Sequence, residues 1–171
     1  MRLASKRAPT RTEPLPLDLD NYMMALLTWV TQKLSTNASG LYRKLYGVGI
    51  SEWRIISYLA VRGPGTGAEI SEFQGLDKAA ISRTIAILRG KSVILAGEPD
   101  GRRIVLSLSE KGVVLYNKIV STALAREDVL LADFTDEERK LAIQLLHRMH
   151  KNIPRVVEFG NDLVKQARRR K

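Results

Sequence analysis

Residues 66–108, with the sequence TGAEISEFQGLDKAAISRTIAILRGKSVILAGEPDGRRIVLSL, are the part of this 171-residue chain that decides its predicted fold. Apolar residues recur at helical spacing over two short segments, 68–73 and 78–90. The sequence Gln74-Gly75-Leu76-Asp77 separates these segments, and its glycine indicates a tight turn. Two short helices joined in this way are typical of a helix-turn-helix.

Two segments with strand character follow at once, at 93–97 and 103–108. The pentapeptide Glu98-Pro99-Asp100-Gly101-Arg102 joins them, and Asp-Gly beside a proline is a signal for a β-hairpin. A helix-turn-helix followed by a hairpin is the winged helix-turn-helix arrangement, whose second helix enters the major groove of DNA. The predicted fold is therefore mainly α with a small β-hairpin wing.

The second helix of this pair, 78–90, has two chemically different faces. Ile81, Ile85 and Leu88 are spaced i, i+4 and i+7, so we expect them to face the core. The opposite face carries small, hydroxyl and cationic side chains: Lys78, Ala79, Ser82, Arg83, Ala86 and Arg89. Such side chains suit a major groove about 12 Å wide, and Asp77 is placed to cap the helix. The alternative for the same residues is an ordinary solvated helix face.

The predicted hairpin places two guanidinium groups, those of Arg102 and Arg103, at an exposed tip. An arginine there can enter the narrow, electronegative minor groove, and Asp100 can pair with Arg102 to fix its direction. Residues 78–103 contain six cations and two acids, and this concentration favours DNA contact over a solvated face. The predicted DNA-binding residues are Lys78, Ala79, Ser82, Arg83, Arg89, Asp100, Arg102 and Arg103.

Further helices are predicted on both sides of this lobe. They span residues 17–45, 52–61, 110–133 and 136–152. Ser51 and Ser109 are the predicted N-caps of the second and third of these helices. Thr135 and Glu138 have the spacing of a capping box that opens the fourth, and Pro154 is expected to end it.

The composition excludes several classes of function. The chain has no cysteine, which rules out disulfides, thiolate nucleophiles and cysteine-ligated zinc. It has only two histidines, His147 and His150, so we expect no histidine-rich metal site. It has no nucleophile-elbow motif and no glycine-rich phosphate loop, so we expect no enzyme. It also has no transmembrane segment and no apolar stretch behind its basic N-terminus, so we expect a cytoplasmic protein without membrane contact.

The net charge of +10 lies mostly at the two ends of the chain. Nine of the ten excess charges fall within residues 1–12 and 165–171. Basic tails of this kind are either solvated ends or segments that contact the DNA backbone, and the sequence leaves both open.

Several segments together resemble the MarR family of bacterial and archaeal regulators. They are Ser51-Glu52-Trp53-Arg54, Ala68-Glu69-Ile70-Ser71, Leu76 to Arg83, Asp100 to Arg103, and Val105 to Gly112. Asp100 and Arg102 fill the family's Asp-x-Arg wing positions, and Ser109 and Gly112 fill its Ser/Thr-x-x-Gly start of a long helix. Two features depart from the family: Gly101 replaces a bulkier polar residue, and Lys91-Ser92-Val93-Ile94 replaces the usual Arg/Lys-Gly-hydrophobic link into the wing.

The resemblance implies a homodimer with interleaved terminal helices, whose two winged lobes read a pseudo-palindromic site in double-stranded DNA. It also implies a small aromatic or phenolic effector between the dimer helices and the DNA-binding lobe, and no cofactor or metal. Tyr46, Trp53 and Tyr58 lie near the expected ligand cleft, although core packing is the alternative for these aromatic residues. The chain would then divide into a disordered basic tail (1–16), an N-terminal dimerisation helix (17–50), a winged helix-turn-helix lobe (51–108), C-terminal dimerisation helices (109–153) and a basic C-terminal segment (154–171).

The sequence therefore predicts a sequence-specific transcription regulator, most simply a repressor relieved by its effector. Two other functions remain open at this stage. One is a nonspecific architectural DNA-binding protein that depends on the basic tails, and the other is a winged helix used for protein–protein contact.

Overall fold

A computed structural model describes residues 14–100 and 103–170, except for the side chains of residues 98–100 and 103. The described residues form six helices and three strands: α1 (Met23–Tyr46), α2 (Ile50–Arg62), β1 (Gly65–Thr66), α3 (Gly67–Gln74), α4 (Lys78–Gly90), β2 (Ile94–Asp100), β3 (Arg103–Leu108), α5 (Glu110–Leu130) and α6 (Asp136–Arg169). The predicted fold class, mainly α with a small β wing, is confirmed. The predicted disordered tail at 1–16 lies almost wholly outside the described residues.

The sheet has one strand that the sequence did not predict. Its order is β1-β3-β2, with both pairs antiparallel, and β1 pairs through Gly65 with Leu106 and through Thr66 with Val105. A two-residue strand is too short to show the alternation by which strands are recognised in a sequence. Its pairing joins the start of the helix-turn-helix to the wing.

The starts of α1 and α2 differ from the prediction. α1 begins at Met23 instead of Leu17, and it runs on to the left-handed Gly47 (φ 71°). α2 begins at Ile50, so the prediction of Ser51 as its N-cap is wrong. The cap residue is Gly49, whose N–H donates to the Glu52 carboxylate at 2.6 Å. This carboxylate satisfies a backbone donor that has no partner within the helix.

The prediction that Pro154 ends the last helix is wrong, because α6 continues through it to Arg169. Proline removes one backbone hydrogen bond and costs about 3 kcal/mol in a helix interior. Good helix formers follow it mainly at the C-terminal end, in Lys165-Gln166-Ala167-Arg168-Arg169, and the helix continues beyond the local defect. The C-terminal segment is therefore basic, as expected, but helical.

The capping box at the start of α6 is confirmed. The Thr135 hydroxyl accepts from the Glu138 N–H at 3.2 Å, and the Glu138 carboxylate accepts from the Thr135 N–H at 2.8 Å and from the Thr135 hydroxyl at 3.0 Å. The two bonds that the Glu138 carboxylate accepts, first the one from the Thr135 N–H and then the one from the Thr135 hydroxyl, hold the pKa of Glu138 below its ordinary value. Glu138 therefore favours α6 when ionised, and this contribution is lost as the pH falls through its lowered pKa.

The chain divides into two compact units, which meet along the sequence within α5, between Val120 and Ser121. The first unit holds the core, built from α1, α2, α3, α4, the sheet and the first half of α5. Its fully buried side chains are Val48, Ile55, Ile56, Ile70, Leu88, Val93 and Ile119. In the second unit, Arg139 donates to the Leu131 carbonyl at 3.0 Å, while α6 contains no buried residue.

No helix among the described residues is both long and apolar enough to cross a membrane.

The start of α5 packs closely against the segment that leaves α4. Ser109 caps α5 as predicted, since its Oγ accepts from the Gly112 N–H at 3.0 Å. The same hydroxyl lies 2.8 Å from the Ser92 carbonyl oxygen and 3.0 Å from that of Val93. A Cβ atom added at Gly112 would collide with the Val93 carbonyl oxygen. Only glycine fits at this position without a backbone shift.

Gly112→Ala is therefore expected to lower the free energy of unfolding by about 3 kcal/mol, the upper range for forcing an extra carbon into a packed site. Urea unfolding at a fixed protein concentration measures the change. Gly90→Ala is the control, because nothing lies within 4 Å of a Cβ there. Equal stability of the two variants would contradict the close contact.

Candidate nucleic-acid interface

α4 is held by its apolar face, as the register predicted. Ile81 and Leu88 are buried, at 3% and 0% exposure, and Ile85 is half-buried. Thr84, between them, is also buried, and its hydroxyl donates to the Ala80 carbonyl at 2.9 Å. The Asp77 carboxylate accepts from the Ala80 N–H at 3.0 Å, which confirms the predicted cap. These contacts fix the rotation of α4 about its own axis.

The opposite face of α4 is open. Five of the predicted DNA-binding residues lie on it and are all exposed: Lys78, Ala79, Ser82, Arg83 and Arg89. Within the described part of the chain, no ion pair or side-chain hydrogen bond engages the polar members of this set. Unpaired cations beside a hydroxyl on one rigid face can meet phosphates and base edges without first breaking internal contacts. We call these five residues the α4 face.

The turn before α4 is well defined. Gly75 adopts a left-handed conformation (φ 62°) that ends α3. The Ser71 hydroxyl donates to the Leu76 carbonyl at 2.7 Å and ties α3 to the turn. The Thr66 hydroxyl accepts from the Glu69 N–H at 3.3 Å and opens α3 with a capping box. Local hydrogen bonds therefore set the geometry of the helix-turn-helix.

A groove of about 410 Å³ lies between α4 and the sheet. Ser82, Ala86 and Arg89 line it from α4, Thr66 from β1 and Ile104 from β3. The groove joins the α4 face to the base of the wing, so a ligand that contacts one can reach the other.

The predicted wing tip lies largely outside the described residues. Gly101 and Arg102 are outside them, and so are the side chains of Asp100 and Arg103. The backbone pairing of β2 with β3 brings Asp100 opposite Arg103, with an irregularity between Ala96 and Pro99. The roles predicted for Asp100, Arg102 and Arg103 stay predictions.

The three aromatic residues predicted to bind a ligand lie in two separate groups. Trp53 stacks on Tyr116, with ring centroids 5.6 Å apart, and meets Tyr42 edge-on at 6.1 Å. Tyr46 lies 6.2 Å from Tyr42, so it belongs to the same group, which packs against the core. Tyr58 instead meets the Phe73 ring edge-on at 5.2 Å.

Tyr46 and Tyr58 therefore line different pockets. The pocket beside Tyr58, of about 640 Å³, is bordered by α1, α2 and α3, and the Arg62 guanidinium stands 5.0 Å from the centre of the Phe73 ring at its edge. In the same pocket, Gln74 donates to the Arg54 carbonyl at 2.9 Å, while its own side-chain oxygen is buried and has no hydrogen-bond partner among the residues that the structure describes.

The pocket beside Tyr46 contains residues that the sequence reading missed. It measures about 270 Å³, and its lining includes Lys91, Lys111 and Lys118. The Lys91 ammonium donates to the Gly47 carbonyl at 2.8 Å and to the Glu52 carboxylate, which is only 12% exposed. Residues 39 and 44 positions apart meet here, and no local pattern in the sequence brings them together. We call this the lysine pocket.

The link between α4 and β2 explains one departure from the expected sequence pattern. Ser92 stands where the MarR family, which the sequence resembles, usually has glycine. Its φ of 56° lies in the left-handed region. Glycine adopts this conformation without strain, whereas a residue with a Cβ atom does so at some cost. The backbone geometry thus accounts for the usual glycine.

Comparisons with known proteins point in one direction, although no family model matches the sequence. The chain is 30% identical over 105 residues to the HTH-type transcriptional regulator YwoH of Bacillus subtilis (strain 168). This match covers 61% of this chain and 76% of YwoH. It is also similar to the crystal structure of a MarR/EmrR family transcriptional regulator from Acinetobacter sp. ADP1. That likeness has a TM-score of 0.76 at 32% identity and covers 81% of this chain and 99% of the other.

Two solved structures of lower identity share the fold. MepR of S. aureus, solved as a complex with DNA, has a TM-score of 0.68 at 15% identity and covers 78% of this chain and 98% of its own. The PcaV transcriptional regulator of Streptomyces coelicolor was solved in complex with its natural ligand. Its TM-score is 0.67 at 18% identity, and the match covers 81% of this chain and 98% of PcaV.

The openness of the α4 face has a direct consequence for stability. Arg83→Ala and Arg89→Ala are each expected to change the free energy of unfolding by less than about 0.5 kcal/mol, since exposed, unpaired side chains contribute little. Urea unfolding tests this, with Leu88→Ala as the contrasting variant that loses about 2–5 kcal/mol. A large loss in either arginine variant would mean that the side chain is engaged within the chain.

Proposed function

The chain belongs to the MarR family of winged helix-turn-helix transcription regulators, DNA-binding proteins that are not enzymes, and from this premise we propose that it is a homodimeric repressor that a small effector releases from its operator. The observation that carries the proposal is the α4 face, which is exposed, cationic, without partners among the described residues, and fixed by the buried Ile81 and Leu88. Such a protein acts in the cytoplasm, where it meets the DNA.

In the proposed complex, α4 lies in the major groove and the wing reaches the adjacent minor groove. Arg83 and Ser82, in the middle of the helix, contact base edges, while Lys78 and Arg89, near its ends, contact phosphates. Arg102 of the wing supplies the minor-groove contact, with Asp100 as its partner and Arg103 beside it. MepR, which has the same fold, was solved as a complex with DNA, and this supports DNA binding by a chain of this fold.

The homodimer is proposed because both ends of the chain leave apolar surface uncovered. α1 exposes Met23, Trp29 and Val30, at 54%, 40% and 51%. α6 buries no residue, yet it carries Leu141, Leu145, Leu146 and Ile153 at 39–53% exposure. Contiguous exposed apolar surface marks an interaction site. A second copy related by two-fold symmetry would cover the same surface on both chains and place two α4 helices about one DNA turn apart, as a pseudo-palindromic operator requires.

The effector is proposed because the lobe contains pockets of suitable size. Both the pocket beside Tyr58 and the lysine pocket combine aromatic or aliphatic walls with cationic side chains, the pattern expected for a small aromatic or phenolic anion. PcaV, of the same fold, was solved with its natural ligand, which supports a small-molecule site in this fold.

The DNA-binding proposal is tested by selecting bound fragments from a genomic library and measuring affinities for the recovered sequence by gel shift. Arg83→Ala is expected to weaken binding about 5- to 150-fold and to relax base preference, as for the loss of a base contact. Arg102→Ala is expected to weaken binding with the oligomeric state unchanged.

Lys140→Ala, which removes an exposed cation from α6, is the matched control and should bind as the parent does. A chain that lacks residues 1–12 and 165–171 should lose only part of its salt-dependent affinity. Complete loss on removing the tails, with Arg83→Ala unaffected, would favour the architectural function. No preference for any duplex would favour the protein-interaction module.

The dimer is tested by sedimentation velocity. The parent is expected at twice the mass of one chain, and Leu145→Glu is expected to shift it towards the monomer, because the new charge would be buried at the interface. Gln144→Glu adds the same charge one position away, off the apolar face of α6, and should stay dimeric. A parent that is monomeric at micromolar concentration would refute the proposed assembly.

A further inference from the structure

We propose that Glu52 and Lys91 are positioning residues for operator recognition: their ion pair holds the end of α4, and with it the α4 face, without touching DNA. The inference rests on the proposed function, because it concerns how the same helix reads its operator. Both residues lie in the first compact unit, together with α4 itself.

The Lys91 side chain joins three helices. Lys91 is the first residue after α4 and its C-cap. Its ammonium donates to the carbonyl of Gly47, the C-cap of α1, at 2.8 Å, and to the carboxylate of Glu52, in the first turn of α2. The end of α4 is therefore tied to α1 and α2 through this side chain.

The Glu52 carboxylate is engaged through both of its oxygens. One oxygen accepts from the Lys91 ammonium, and the other accepts from the Gly49 N–H at 2.6 Å. The side chain of Glu52 is only 12% exposed, whereas that of Lys91 is 39% exposed. A carboxylate so removed from water needs a charged partner, because an unpaired buried charge is costly. Removing either charge is thus expected to rearrange the segments that the pair joins.

Backbone hydrogen bonds carry the position of Lys91 into the last turn of α4. The Lys91 N–H donates to the Ile87 carbonyl at 3.0 Å, and the Ser92 N–H donates to the Arg89 carbonyl at 2.8 Å. The Lys91 carbonyl in turn accepts from the Lys111 ammonium of α5 at 2.7 Å. Arg89, which belongs to the α4 face, lies only two residues before Lys91. A shift of the link therefore moves a proposed DNA contact directly.

The charge of Lys91 serves the chain itself. Glu52 neutralises it, and two of the three ammonium hydrogens are directed to Gly47 and Glu52. The cations of the α4 face have no such partners among the described residues. A recognition surface needs supporting residues that hold its contacting side chains in place, and the ion pair supplies this support at the end of α4.

Fluorescence anisotropy titrations of the full chain test this role, with the selected operator and with a scrambled duplex of the same composition. Lys91→Met and Glu52→Gln are each expected to weaken operator binding about tenfold, within the range for residues that act on a site without contacting its ligand. Affinity for the scrambled duplex should change less than about twofold, because phosphate contacts carry no sequence information. Misfolding would instead lower both affinities alike, so the ratio of the two separates positioning from loss of fold.

Three further variants sharpen the test. Lys91→Arg keeps a cation at the same place and should bind the operator within about threefold of the parent, since the two side chains differ in geometry. The double variant Glu52→Gln/Lys91→Met should bind about as weakly as either single variant, because two residues that act as one unit are not additive. Lys44→Met removes an exposed cation of α1 and is the control.

Two measurements distinguish positioning from direct contact with DNA. If Lys91 bound a phosphate, Glu52→Gln would free it and strengthen binding, whereas a positioning role weakens binding. Loss of a phosphate contact also lowers the slope of log affinity against log salt concentration by about 1. Lys78→Met, at a proposed phosphate contact, should show this decrease, while Lys91→Met should keep the slope of the parent.

Three results would overturn the inference alone: an operator preference that both single variants keep, tighter binding by Glu52→Gln, or a reduced salt slope in Lys91→Met. A parent that binds the operator no better than the scrambled duplex would refute the proposed function, and this inference with it.

Discussion

The arrangement of the DNA-binding lobe depends on the contacts that the Val93 carbonyl group makes with Ser109 and Gly112. This carbonyl accepts from the Ser109 N–H at 3.1 Å and lies 3.0 Å from the Ser109 hydroxyl, and Gly112 leaves room for it where any other residue would not. One side of this contact is the exit from α4, and the other is the start of α5. The position of α4 against the rest of the lobe therefore depends on a junction that involves only a few residues.

This junction also explains how an exposed cationic helix can be held firmly. α4 contributes only three buried residues, Ile81, Thr84 and Leu88, to the core. The rest of its support comes from its ends, where Asp77 caps the first turn and Lys91 ties the exit to Gly47 and Glu52. Because the supports lie at the ends and on one side, the outward face needs no internal partners and stays available to DNA.

The sequence predicted those parts of the lobe that local rules determine. The bounds of α4 follow from its cap and its i, i+4, i+7 register, and both were predicted to the residue. Local rules failed at Pro154, where the helix continues although proline removes one backbone hydrogen bond. They also failed at Ser51, because the cap is Gly49, whose N–H donates to the Glu52 carboxylate. They could not predict β1 or the lysine pocket, because both are formed by residues far apart in the sequence. For the same reason, the sequence did not show that Tyr46 and Tyr58, both expected near one ligand cleft, line two different pockets.

Ser92 gives the junction a further property. A serine in the left-handed region carries a free-energy cost of about 1 kcal/mol that glycine would not pay. The free energy of the folded chain is thus raised by that amount at the link between α4 and β2. A return of residue 92 to a negative φ would recover this free energy, whereas a glycine at this position would gain nothing from the same change.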